Sequence, residues 1–255
     1  MTGWRAIVAG LAGFIVALGI NTDAALSQSL ELKDLVGPGQ AATSGRIVQL
    51  VALVTVLSVA PGILVTVTCF TRFIVALSFL RSGLGLPSTP SNIVLISLAL
   101  FMTFFVMSPT LDRTWSEGIQ PFVDNKIDEK EAYRRITKPV REFMQAHVRE
   151  KDLQLFQDIA RRREPAGTEA GPEVEMRVLV PAFMVSELRR GFEIGFLIIL
   201  PFLVIDLVVA TLVMSMGMMM LPPTAISLPF KILFFVLIDG WHLFAGSLVK
   251  SFTGG

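Results

Sequence analysis

The run from Val180 to Trp241 constrains the fold more than any other part of the chain. It reads VPAFMVSELRRGFEIGFLIILPFLVIDLVVATLVMSMGMMMLPPTAISLPFKILFFVLIDGW, two long apolar segments joined by a turn. A segment needs about 20 apolar residues to cross a bilayer, and in lipid its backbone must satisfy itself, so runs of this length predict helices. Four ionisable residues sit inside them or at their edges: Glu187, Asp206, Lys231 and Asp239. A charge at the centre of a membrane helix costs about 2.5–3.5 kcal/mol, so these residues are expected to face protein and to mark function. The turn carries Gly217, three adjacent methionines (Met218, Met219 and Met220), then Pro222 and Pro223. Unbranched thioethers make a deformable apolar surface.

Composition agrees with a membrane protein. Of 255 residues 53% are hydrophobic and 17% charged, where soluble domains carry about 25% charge. The formal net charge of +1 gives no cationic excess of the kind nucleic-acid binding needs. Cys69, the single cysteine, lies in an apolar run and reads as a small core residue.

Taken in order, Met1–Ser27 reads as a signal peptide. Arg5 supplies the basic start, Ala6–Ile20 the apolar stretch, and Ala25-Leu26-Ser27 the small residues of a cleavage site. An uncleaved signal anchor is the alternative. Residues 28–45 form an irregular lead-in. Ile47–Leu80 exceeds one span and contains Pro61-Gly62, so it is either one kinked helix or two pieces meeting at Pro61. Arg72 lies in its second half. It either snorkels to the interface or pairs with a buried carboxylate, Asp206 or Asp239. Arg72 and Arg81 bias the Arg81–Asn92 loop to the cytoplasm. Ile93–Met107 is a second apolar helix, ending at Pro109.

Residues 110–181 hold most of the charges and predict a water-exposed helical subdomain. Asp128 with Glu131 resembles a capped helix start, Pro139 is expected to open a second helix, and Lys151–Arg163 to form a third. Glu164–Glu175 is a linker by composition. The third apolar segment is placed at Gly191–Met216 and the fourth at Ala225–Val249. Glu187 with Arg190, and Arg189 with Glu193, fall along a helix face. Gly191, Gly195, Gly240 and Gly246 are expected to admit neighbouring helices. The expected architecture is all-α: a helical membrane protein with a signal peptide (1–27), a lead-in (28–45), long apolar hairpins (46–109 and 182–255) and a small helical subdomain (110–181). Counting spans places that subdomain in the periplasm.

The sequence offers little for catalysis. Asp206 and Asp239 on neighbouring apolar helices suggest an intramembrane aspartyl protease, but the GxGD word is incomplete and Lys231 offers a counter-charge. His147 and His242 are far apart and Cys69 is alone, so neither a metal nor another cofactor is expected. Ser186 lacks the glycines of a nucleophile elbow, and no P-loop word occurs. A secondary transporter is a further alternative, with ionisable groups on broken helices, although four spans without an inverted repeat are thin material for one.

The methionine turn has two readings. It packs on its own helices, or copies of the chain surround an axis and their turns form a dry constriction that bends aside for a passing chain. Gly217 would then leave one edge mobile and Pro222-Pro223 stiffen the other.

The words PAFMVSEL, IGFLIILPFLVID, MSMGMMMLPP, ISLPFK and FVLIDGW resemble the FliP family of flagellar export-gate proteins and its injectisome relatives, SctR. The likeness extends upstream through LSVAPGILVTVTCFTRFIVALSFLR, LALFMTFFVMSP and REKDLQLF. It implies a core subunit of a type III export gate, not an enzyme, assembling as a pentamer-like ring with FliQ- and FliR-type proteins. FliO as assembly helper, FlhA- and FlhB-type export components and unfolded flagellar polypeptides complete the implied partners. It places Met218, Met219 and Met220 in a gasket, and makes Glu187 and Lys231 candidates for a salt bridge between neighbouring copies. The leader and the sizeable subdomain favour the flagellar branch over the injectisome branch.

Overall fold

The computed structural model describes residues 51, 54–55, 58–59, 61–163, 174–217 and 222–253. The signal peptide, the lead-in, most of the linker and Met218–Met220 lie outside the described residues. The chain divides into two units, Met1–Pro61 and Gly62–Gly255. In the first, the described residues 51, 54, 55, 58 and 59 are helical. No strand occurs among the described residues, as the all-α expectation requires.

From Pro61 onward the helices are α1 (Pro61–Val67), α2 (Phe70–Gly83), α3 (Asn92–Thr114), a π turn (Trp115–Ile119), α4 (Gln120–Val123), α5 (Glu129–His147), α6 (Glu150–Arg163), α7 (Met176–Ser215), α8 (Pro223–Leu237) and α9 (Gly240–Thr253). Among the described residues two helical stretches, Asn92–Val123 and Met176–Ser215, are long and apolar enough to cross a membrane. Two bent pairs, α1 with α2 and α8 with α9, raise that to four if each is one span.

The bends within the two broken pairs do not fall at prolines. The first bend, of 85°, falls at residues 68–69 between α1 and α2. Hydroxyls replace the missing backbone bonds there: Thr68 Oγ1 donates to Leu64 O at 2.6 Å and Thr71 Oγ1 to Val65 O at 3.0 Å. Pro61 is therefore not the break between α1 and α2. Pro109 does not end α3, which continues to Thr114. Proline at 109 frees the carbonyl four residues back, and Ser108 Oγ supplies Phe105 O with a bond at 3.0 Å. Pro139 likewise lies inside α5, because Asp128 caps that helix well upstream, accepting from Glu131 N at 3.2 Å. Its ring is buried, which offsets the lost bond.

The third apolar segment is longer than its composition indicates. α7 spans 40 residues from Met176 and crosses residues 181–182 unbroken. At 1.5 Å per residue it is about 60 Å long, roughly twice the ~30 Å hydrocarbon layer. α2 packs along it. Gly195 permits this, since a Cβ there would come within 2.6 Å of the Phe79 ring. Gly246, by contrast, faces open space. Phe73, Leu77, Leu80, Leu95, Ala99 and Phe202 lie in the main core with Phe235 and Leu248.

A second core of Met144, Leu179 and Phe183 fastens α5 to the start of α7. Ser186 on α7 accepts from Arg149 N at 3.1 Å, and its hydroxyl lies 2.7 Å from Asp152 Oδ2 on α6. On α5, hydrogen bonds from Arg135 and then Arg134 hold Glu131 below the usual carboxylate range.

Candidate functional site

Two cations join the apolar helices. Arg72 on α2 is fully buried and meets Glu187 on α7, also fully buried. Nε donates to Glu187 Oε2 at 2.9 Å and Nη2 donates to Oε1, a two-pronged contact that only a guanidinium makes. Nη1 donates to Ser251 Oγ at 2.9 Å and to Ser251 O at 3.3 Å. The flat face of the group rests on Phe252, 3.5 Å from the ring centroid. Arg72 therefore ties α2 to α7 and to the end of α9. Phe252 continues the contact toward α5, with centroids 5.3 Å from His147 and 6.4 Å from Phe143.

Lys231 on α8 makes the second clamp. Its Nζ donates to Asp206 Oδ2 at 2.6 Å and to Gly83 O at 3.0 Å. Gly83 is the last residue of α2, where the helix dipole favours a cation. Ser227 Oγ donates to the other oxygen, Asp206 Oδ1, at 2.6 Å. Lys231 is buried, whereas the Asp206 side chain keeps 30% exposure. This clamp binds α8 to α7 and to the end of α2.

These geometries change the expected pairings. Arg72 neither snorkels nor takes Asp206 or Asp239; its carboxylate is Glu187, because the close packing of α2 on α7 sets them together. Glu187 and Lys231, expected to meet between copies, each have a partner within the chain. Glu187 turns to Arg72 rather than to Arg190, while Arg189 and Glu193 do pair, at 2.9 Å. Asp239 departs furthest. It is exposed at a 65° junction between α8 and α9, with φ of 51°. Aspartate tolerates this left-handed conformation better than most residues, so its position follows from the turn. The fourth apolar segment is thus two helices.

Asp206 spends both oxygens on Ser227 and Lys231, an arrangement suited to holding helices rather than activating water. The flanks of the methionine turn are described even though its centre is not. Gly217 has φ of 74° and donates to Met214 O at 3.0 Å, closing α7 as a glycine past a helix end does. Pro223 opens α8 after Pro222, where a missing N–H costs nothing. Sequence reading missed Ser227, Ser251, Phe252 and the Gly83 carbonyl. Serine and phenylalanine are common in apolar helices, and a main-chain acceptor leaves no sequence signal.

A model of the FliP family matches residues 53–248. The chain belongs to the FliP family. Flagellar biosynthetic protein FliP of Rhizobium meliloti (strain 1021) is 58% identical over 241 residues, which is 94% of this chain and 98% of the relative. The protein of the same name from Agrobacterium fabrum is 66% identical over 207 residues, 81% of this chain and 84% of the relative. That of Bacillus subtilis (strain 168) is 54% identical over 205 residues, 80% and 91% respectively. All segments that carry the two clamps fall inside the FliP match except Ser251 and Phe252, which lie just beyond it.

Proposed function

We propose that this chain is a core subunit of the flagellar protein-export gate in the bacterial cell membrane. Copies form a ring of about five with FliQ- and FliR-type partners around a sealed conduit for unfolded flagellar polypeptides. FliO, FlhA- and FlhB-type components belong to the same reading, as does a periplasmic position for the 110–181 subdomain. The chain acts structurally in this reading and catalyses nothing.

The observation that carries the proposal is the character of α7. It buries Glu187 and pairs Asp206 within its own fold, yet leaves Phe196, Leu197, Leu203, Val204, Leu207 and Leu212 exposed. A face of that extent calls for a partner or lipid. With Val185, Leu188, Phe192 and Met214 also exposed, the apolar face runs about 44 Å, longer than the ~30 Å hydrocarbon layer, so part of it is left for protein. The flagellar names of the relatives favour this branch over the injectisome and over a solute transporter. Met218, Met219 and Met220 form the gasket, and Glu187 of one copy meets Lys231 of the next. Because both are neutralised within one chain, ring closure exchanges their partners.

A complemented deletion strain tests the proposal. Without the chain, hook and filament proteins should be absent from the culture medium, and the wild-type chain should restore them. Replacing Met218, Met219 and Met220 together by alanine should leave the complex assembled but make cells leak ions. Normal flagellar secretion without the chain would overturn the export role, and unchanged leakage would overturn the gasket.

A further inference from the structure

One ridge of α7 is shared by two elements. Glu187, Gly191, Gly195 and Ile199 repeat every four residues and form a ridge that winds slowly round the helix. α2 covers it in rising order. Arg72 meets Glu187; a Cβ on Gly191 would lie 3.1 Å from Val75, one on Gly195 2.6 Å from Phe79, and one on Gly83 2.9 Å from Ile199. The two helices therefore run parallel. Continued toward its N-terminus, α2 would reach Phe183 and then Leu179, the next positions of the ridge. α5 holds them instead. Both are fully buried with Met144, and Phe143 meets Phe183 edge-on with centroids 6.1 Å apart. The chain bends by 85° at residues 68–69, about one turn before Arg72, and Val67 packs into the same second core. α1 is turned aside where α5 takes over the ridge.

We propose that α1 and α5 compete for the start of this ridge, so that α1 and α2 fuse into one straight helix when α5 leaves it. Neither proline nor glycine lies at residues 68–69 to force the break. The hydrogen bonds there exchange one for one. In the bent form Val65 O accepts from Thr71 Oγ1 at 3.0 Å, and Phe70 N donates to Thr68 Oγ1 at 3.3 Å. In an unbroken helix Val65 O accepts from Cys69 N, and Phe70 N donates to Thr66 O. The Arg72–Glu187 pair is kept in both forms, because α2 stays on α7. The forms differ in reach. α2 has 14 residues and is about 21 Å long, short of the ~30 Å hydrocarbon layer, whereas a fused Pro61–Gly83 is about 34 Å long and crosses it. Docking of the polar subdomain thus decides whether this stretch is a bilayer span or a bent element of the bundle. The switch rests on the fold alone and is independent of the export role.

Double electron–electron resonance on the full chain in lipid nanodiscs tests the exclusion. Cys69→Ala removes the native thiol, and nitroxides on Ile63→Cys and Ser82→Cys report the bend. A second pair, on Gln145→Cys and Arg189→Cys, reports the docking of α5 on α7; all four positions are exposed. The axial separation of residues 63 and 82 is about 22 Å across the 85° bend and about 28 Å in a straight helix. The parent chain should show the short distance together with a closed α5 pair. Met144→Asp puts a charge into the second core from the α5 side and leaves the ridge of α7 intact. It should open the α5 pair and lengthen the bend distance to about 28 Å. Val140→Asp, at a half-buried position of the same core, repeats the test with a milder perturbation. Met144→Leu should match the parent. Thr71→Val removes a bond that only the bent form makes, so in the Met144→Asp chain it should raise the ratio of long to short distances about fivefold. Circular dichroism should show the chains equally helical. An α5 pair that opens while the bend stays short, a bend that opens with α5 still docked, or aspartate variants in which neither distance moves would overturn the proposal.

Discussion

Arg72 makes four polar contacts and stacks on a ring, all within the chain's own fold. Desolvating such a pair is expensive, but removing one member is worse, because the other stays buried without a counter-charge. Glu187→Ala is therefore expected to cost the isolated chain about 3–5 kcal/mol. Replacing Arg72 and Glu187 together by Met and Leu should recover most of that loss. Thermal unfolding in detergent, before any assembly, measures both. A Glu187→Ala chain as stable as wild type would mean that Glu187 is needed only between copies. In that case Lys231→Glu with Glu187→Lys, rather than an exchange with Arg72, should restore the assembled ring. The sequence marked every one of these charges, since an ionisable residue in an apolar run stands out. It did not reveal the pairing, because Arg72 and Glu187 are 115 residues apart and meet through helix packing.

Helices were legible wherever apolar residues ran on, and Asp128 was legible as a cap. Breaks were not. Pro109, Pro139, Pro181 and Pro201 all sit inside helices, while the chain bends at Thr68–Cys69 and at Asp239. A proline signals a freed carbonyl, but a nearby serine hydroxyl fills that role at Phe105, and sequence spacing does not disclose it. The α8–α9 junction rests on the left-handed Asp239. Asp239→Gly should preserve or slightly raise stability, whereas Asp239→Val should cost about 1–2 kcal/mol, the usual penalty for a side chain in that conformation. Asp239→Asn should be neutral, since asparagine also tolerates it. Thermal unfolding of the three variants checks the ranking. Equal stability of the Val and Gly variants would remove the turn as the reason for aspartate at this position.

At the scale of the molecule, two cations gather four helices: Arg72 joins α2, α7 and α9, and Lys231 joins α8, α7 and the end of α2. The bundle closes its charges inward and leaves apolar flanks outward, open to lipid or to partners. The FliP resemblance was legible because long words fall in order along most of the chain. The self-contained charge network was not, since family words do not say whether a partner is on the same copy. Native mass spectrometry in mild detergent, on the chain alone and with FliQ- and FliR-type partners, tests the central claim most directly. The account predicts a discrete ring of several copies that takes up the smaller partners. A monomer under every condition would contradict the shared conduit.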